Sequence, residues 1–172
     1  AAWTPADTRG PTAWALGQAM ATPEEAGLVC VGDVAVTSGR VWLPGTSRRL
    51  NRWGELTSWG AAQVERRLEA IHAQTEFVAP SHALMEPLAL DTSTALPGRV
   101  LYENLARASL LTDPAVRAGS LAAWAGRSFY DRTGDVLETT RRLGHRSVND
   151  AIRFIGLTRS SGERPPQWRR VG

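Results

Sequence analysis

Over most of this chain the apolar residues recur at three- and four-residue spacing, and one stretch, residues 33–56, abandons that period. Ala61, Val64, Leu68 and Ile71 form one apolar stripe, which predicts a helix over about 58–74. Leu121, Trp124, Ala125, Ser128 and Phe129 form another, ending at Gly134, a residue suited to the left-handed turn that stops a helix. Leu101, Leu105 and Ala108 predict a helix over 98–111, closed by Thr112-Asp113-Pro114. Between 33 and 56 the pattern alternates instead. Val34/Val36, Val41/Leu43 and Trp53/Leu56 line three strands, with turn clusters at 37–40 and 44–47. The expected fold class is mainly α with a small three-stranded antiparallel sheet inserted early. Trp14, Trp42, Trp59 and Trp124 fall on apolar faces and are expected in the core.

Helix starts are the sharpest local signals. Thr22-Pro23-Glu24-Glu25 places a capping hydroxyl before a proline at the first helical position, with a carboxylate three residues on. Asp135 with Glu138, and Ser147 with Asp150, follow the same logic; Thr57 or Ser58 caps the helix after the strands. Residues 77–97 carry three prolines and few periodic positions and read as a connector of low helical content.

At 172 residues, 42% apolar and 22% charged, the composition is that of one globular domain over 1–172, its end (158–172) a basic, Pro-rich tail. The 20 basic side chains are all arginine. Without lysine there is no Schiff-base chemistry, whereas the planar guanidinium suits bidentate contact with phosphate. A net charge of +3 leaves the distribution of these arginines to decide the partner. The single cysteine, Cys30, excludes an internal disulfide and a multi-cysteine zinc site, and it reads as core filler. His72 and His82 lack metal-ligand spacing, so neither metal nor cofactor is expected. No apolar run nears the ~20 residues of a membrane helix and no signal pattern opens the chain. A soluble cytoplasmic protein away from membranes is expected. The start at Ala1, without methionine, fits a piece of a longer protein.

The C-terminal quarter runs Gly134-Asp135-Val136-Leu137, then Leu143-Gly144-His145-Arg146-Ser147, then Ala151-Ile152-Arg153-Phe154. Together with Thr22-Pro23-Glu24-Glu25 and the strand region, this resembles the catalytic domain of the tyrosine recombinase (phage integrase) family over residues 11–157. The resemblance implies that family's core fold. It also implies a chemistry in which a tyrosine attacks a DNA phosphodiester while two arginines and a lysine stabilise the phosphoryl oxygens. Carried over position by position, the first arginine becomes Thr22, the strand lysine Ser47 or Arg48, the His-x-x-Arg pair Ser120 and Ala123, and the nucleophile Phe154. Only His145 matches.

The resemblance therefore implies a recombinase-like domain that binds double-stranded DNA without cutting it. Arg48, Arg49 and Arg52 cluster in the hairpin that approaches the DNA backbone in that family, and Arg141, Arg142, His145 and Arg146 cluster at the Leu-Gly-His junction. Arg127, Arg132 and Arg153 extend that face. Trp53 and Trp168 are candidates to stack on a base or a partner surface. A second reading is an active divergent recombinase using Tyr130 or a nucleophile supplied by a partner, with Arg127 and Arg153 as its guanidinium groups. A third is a protein-interaction module on the same fold, and the tail makes a homo-oligomer a candidate assembly.

Overall fold

The computed structural model describes residues 5–73, 80–85 and 97–157. Helix α1 (Pro5–Gln18) leads to α2 (Pro23–Leu28). The Glu25 amide donates to the Thr22 hydroxyl at 3.3 Å, and the Thr22 amide donates to the Glu25 carboxylate at 2.9 Å. This is the reciprocal cap expected from Thr-Pro-Glu-Glu. Thr57, not Ser58, caps α3 (Ser58–His72), accepting from the Gly60 amide at 3.0 Å. Asp135 caps α6 (Val136–Arg142) by accepting from the Glu138 amide at 2.8 Å, whereas Ser147 precedes α7 (Val148–Phe154) without a side-chain cap bond. Helix α5 (Ser120–Thr133) stops at Gly134, as expected. Helix α4 (Pro97–Arg107) stops earlier than 111, because Ser109 turns left-handed (φ 56°) and Leu110–Thr112 winds into a 3₁₀ turn.

The sheet has the order β1 (Val34–Ala35), β2 (Arg40–Leu43), β3 (Arg52–Glu55), antiparallel throughout. Val36 lies in a 3₁₀ turn rather than in the first strand. Opposite each other across β2 and β3 stand Arg40 with Glu55 and Trp42 with Trp53. Strand side chains alternate between faces. Val41, Leu43, Arg52 and Gly54 therefore point inward, and Arg40, Trp42, Trp53 and Glu55 point outward. Trp53, expected on this strand, is 43% exposed. Packing dictates the choice, since a side chain in place of Gly54 would lie 2.9 Å from the Ala19 carbonyl oxygen.

Two apolar clusters form the core. The larger joins α1 (Ala13, Ala15, Leu16), α2, the inner sheet face (Val41, Leu43), α3 (Val64, Ile71) and α4 (Val100, Leu101). The smaller joins Met20 to α5 (Ala125, Phe129), Leu143, and α7 (Ala151), with Ile155 beyond it. Part of the connector belongs to the larger cluster: Leu84 and Met85 are buried, and residues 80–84 run beside 29–32 through Val31 N–H to His82 O (2.9 Å) and Leu84 N–H to Val29 O (2.8 Å). Of the four tryptophans expected in the core, only Trp14 packs against it, and Trp42 lies on the outer sheet face. Trp59 is 48% and Trp124 49% exposed, while Trp14 and Trp42 are half-buried. On α5 the buried stripe runs through Leu121, Ala122, Ala125, Gly126 and Phe129, and Trp124 falls off its far edge. Cys30 is half-buried.

Candidate functional site

Helix α6 ends at Arg142, where helical geometry leaves carbonyl oxygens without amide partners. The β2–β3 connection and the start of β3 supply donors. Arg52 Nε donates to Arg142 O (2.7 Å), Arg49 Nη1 to Leu143 O (2.8 Å), and the Leu50 amide to Gly144 O (2.8 Å). Three successive carbonyls are thus held by one short segment. Gly144 makes this approach possible. It adopts φ 68°, and a Cβ there would sit 2.7 Å from Leu50 O.

Arg52 is enclosed further. Its Nη2 donates to Met20 O (2.9 Å) and to Glu25 Oε2 (3.1 Å), and its Nη1 pairs with Glu25 Oε1. The two side chains are 5% and 0% exposed. The Thr22 hydroxyl donates to the same carboxylate at 3.1 Å. A continuous polar path therefore runs from Thr22 through Glu25 and Arg52 to the end of α6. It corrects the expectation that Arg52 faces a phosphate, because all three guanidinium nitrogens are spent inside the protein.

His145 and Phe154 come together, their ring centroids 5.2 Å apart and tilted by 60°. The Arg49 guanidinium carbon lies 4.3 Å from the centre of the Phe154 ring, so this charge also faces inward. His145 Nε2 is buried and has no hydrogen-bond partner among the described residues. Burial first, then the neighbouring Arg49 charge, pushes the imidazole down to about 4. At neutral pH His145 is uncharged and offers no acidic proton. Burial likewise lowers the Arg49 guanidinium.

The arginines of α6 are neutralised in place. Glu138 accepts from Arg141 Nη2 (2.6 Å) and Arg142 Nε (2.8 Å), and Arg142 Nη2 reaches across to Glu55 (2.9 Å) on β3. The Arg141 hydrogen bond, foremost, holds the Glu138 carboxyl down to about 2, and Arg142 lowers Glu55. Arg127 pairs with Asp131 (2.8 Å) and Arg153 with Asp150. Arg132 is exposed, its guanidinium carbon 5.5 Å from the centre of the Phe129 ring, and makes no ion pair among the described residues. Arg48 and Arg146 are exposed too, and neither guanidinium has a partner among the described residues. Ser47 is exposed beside Arg48. Ser120 and Ala123 lie half-buried on α5. Ser120 Oγ accepts from the Arg117 amide (3.0 Å), and no side-chain hydrogen bond joins either residue to His145 or Arg49 among the described residues. Tyr130 packs half-buried against the smaller cluster. The tail 158–172, with Trp168, lies outside the described residues.

Sequence reasoning missed Glu25, whose neighbours signal only a helix cap. It also missed the outer sheet face as a groove. Arg40, Trp42, Trp53 and Glu55, flanked by Arg141 and Arg142, border a cavity of about 280 Å³. Trp42 and Trp53 meet edge-to-face at 5.3 Å, and the Arg40 guanidinium lies 4.7 Å over Trp53. Among the described residues, no group of three or more His, Cys, Asp or Glu is placed to hold a metal ion, and no helix is long and apolar enough to cross a membrane.

This succession of helices around a small antiparallel sheet is the catalytic-core fold of the tyrosine recombinases. The crystal structure of XerA recombinase is similar, with a TM-score of 0.71 and 14% sequence identity over 91% of this chain and 56% of that chain. The chain thus spans little more than half the length of XerA. No protein-family model matches the sequence, and no curated protein matches it.

Proposed function

We propose that this domain binds duplex DNA and does not cleave it. The observation that carries the reading is Phe154. At the position the family resemblance gives to the nucleophile stands a phenyl ring, packed between an uncharged imidazole and an inward-turned guanidinium. Such a ring has no oxygen to attack phosphorus, and the Arg49 guanidinium beside it is spent on the Leu143 carbonyl. A transition state that loses one oxyanion-type donor slows by about 10²–10³. On the same resemblance, Thr22 and Ala123 stand where the family has arginines, and Ser120 where it has a histidine. XerA, a recombinase by name, has the same fold, which supports DNA as the partner.

Binding at the Leu-Gly-His junction rests on Arg48 and Arg146, its two exposed cations without an ion pair among the described residues. They flank the backbone hydrogen bond from residue 50 to residue 144. With Arg49, Arg52, Arg141 and Arg142 engaged internally, contact at this junction involves few phosphates. The logarithm of affinity should then fall against log salt with a slope of about −2, near −0.9 per phosphate. Fluorescence anisotropy with labelled duplex across a salt series tests this, and absence of binding at low salt would sink it. A nicked suicide duplex run on a denaturing gel tests the rest: no covalent band is expected. A band lost in Tyr130→Phe would establish the active alternative. The internal pairing of Arg141, Arg142, Arg127 and Arg153 favours one second reading, a protein-interaction module. It predicts no anisotropy change with DNA and a dimer or hetero-complex by light scattering.

A further inference from the structure

The outer face of β2 and β3 is a separate feature from the Arg48–Arg146 surface. From it we infer a second site: the Trp42–Trp53 groove takes a single unstacked nucleotide of single-stranded DNA. Three observations carry this. First, Trp53 is 43% exposed although it pairs edge-to-face with Trp42 and carries Arg40 on its ring, so it offers aromatic surface already set in orientation. A planar base gains most from such a surface, because every base has a π-face to stack. Second, four arginines and one glutamate line the groove, and that glutamate, Glu55, is bound by Arg142. Arg52 is closed on Glu25, and Arg141 and Arg142 pair with Glu138 and Glu55, which leaves the exposed Arg40 as the groove's guanidinium without an ion pair among the described residues, a fork that matches a phosphate. Third, the cavity holds about 280 Å³. That lies just below the ~300–1,000 Å³ of sites for drug-sized ligands and is far too small for a helix ~10 Å across or a duplex. A flat ring with its phosphate fits a groove of that size. Sheet faces bearing paired aromatics use the same physics to stack bases of single strands.

The site does not depend on duplex binding, and the experiment separates the two. Three labelled probes are titrated against the full chain by anisotropy: a short oligothymidylate, an abasic strand of equal length, and a duplex. The oligothymidylate should bind more tightly than the abasic strand. Trp53→Ala should weaken it by about tenfold or more, and Trp53→Phe by less than about threefold, since loss of one stacked base typically costs at least that much. Arg40→Gln should also weaken it. Duplex affinity should change by less than about twofold in all three variants. Each variant's fold is checked by circular dichroism, and Trp53→Phe with Arg40→Gln carries the test should Trp53→Ala misfold. Equal binding of abasic and base-bearing strands, or an oligothymidylate affinity unmoved by these changes, overturns the inference. Displacement of the oligonucleotide by an acidic aromatic peptide at lower concentration would assign the groove to a protein partner and overturn it too. If duplex fails to bind while oligothymidylate binds through Trp53, the groove stands and the duplex reading falls.

Discussion

Arg48 and Arg49 are adjacent in the chain and do opposite work. Arg48 extends into solvent with no partner among the described residues, whereas Arg49 folds back to the Leu143 carbonyl and lies over the Phe154 ring. The same division recurs between Arg52, closed around Glu25, and Arg146, exposed one residue after His145. A cluster of arginines in sequence is thus two populations in the fold. One population terminates a helix and neutralises a buried carboxylate; the other carries the charge available to a partner. Counting basic residues along a segment overstates the electrostatic face it presents, because guanidinium groups make good substitutes for missing amides at a helix end.

The two populations should separate cleanly under substitution. Arg52→Ala leaves Glu25 charged and buried, and the expected loss is about 3–5 kcal/mol of unfolding free energy, read from urea denaturation. A loss below about 1 kcal/mol would mean that water reaches the carboxylate. Gly144→Ala should cost about 1–2 kcal/mol from its left-handed backbone, with further loss from overlap with Leu50 O. The third test is pH. His145 titrates near 6.5 when unfolded and about 4 in the fold, so the unfolded chain binds the extra proton between those values. Stability should be level above pH 6.5 and fall as pH drops toward 4. His145→Gln should flatten the fall in urea midpoint between pH 7 and 4.5. The depressed carboxylates Glu138 and Glu55, whose ordinary value is 4.5, add to the fall from about pH 5 downward, so the His145 contribution is read as the difference between the two proteins at each pH. Smallest in stability is the outward pair. Arg48→Ala and Arg146→Ala should each change unfolding free energy by less than about 0.5 kcal/mol, yet each should lower the steepness of the duplex salt dependence by about 1.

Local chemistry made much of the fold legible. Thr22, Thr57 and Asp135 each announce a helix start by bonds made within three residues, and Gly134 announces a stop, so no tertiary knowledge is needed. The alternation at 40–43 and 52–55 likewise gives the hairpin. What alternation leaves open is which parity faces the core. In β3 both parities hold large side chains, and only the close approach of Ala19 to Gly54, together with the carboxylate waiting at Glu25, sends Arg52 in and Trp53 out. Trp124 was misplaced for a related reason: an i, i+3 relation to Leu121 fits a stripe, but small residues at 122, 125 and 126 shift the buried face away from it. At the candidate site, the family resemblance assigned His145 and Phe154 to one site, and their rings do meet. The inward turn of Arg49 and Arg52 was not legible, since their acceptors at the end of α6 lie 90 or more positions away in the chain, and the Glu25 carboxylate that encloses Arg52 lies 27 away.

That separation has a kinetic consequence. The bonds from Arg49 and Arg52 to the end of α6 close loops of 94 and 90 residues, so the chain must pay their closure entropy before α6 and α7 are anchored. Docking of the C-terminal helices should accordingly be a late event, and loosening this clasp should hasten unfolding far more than it slows refolding.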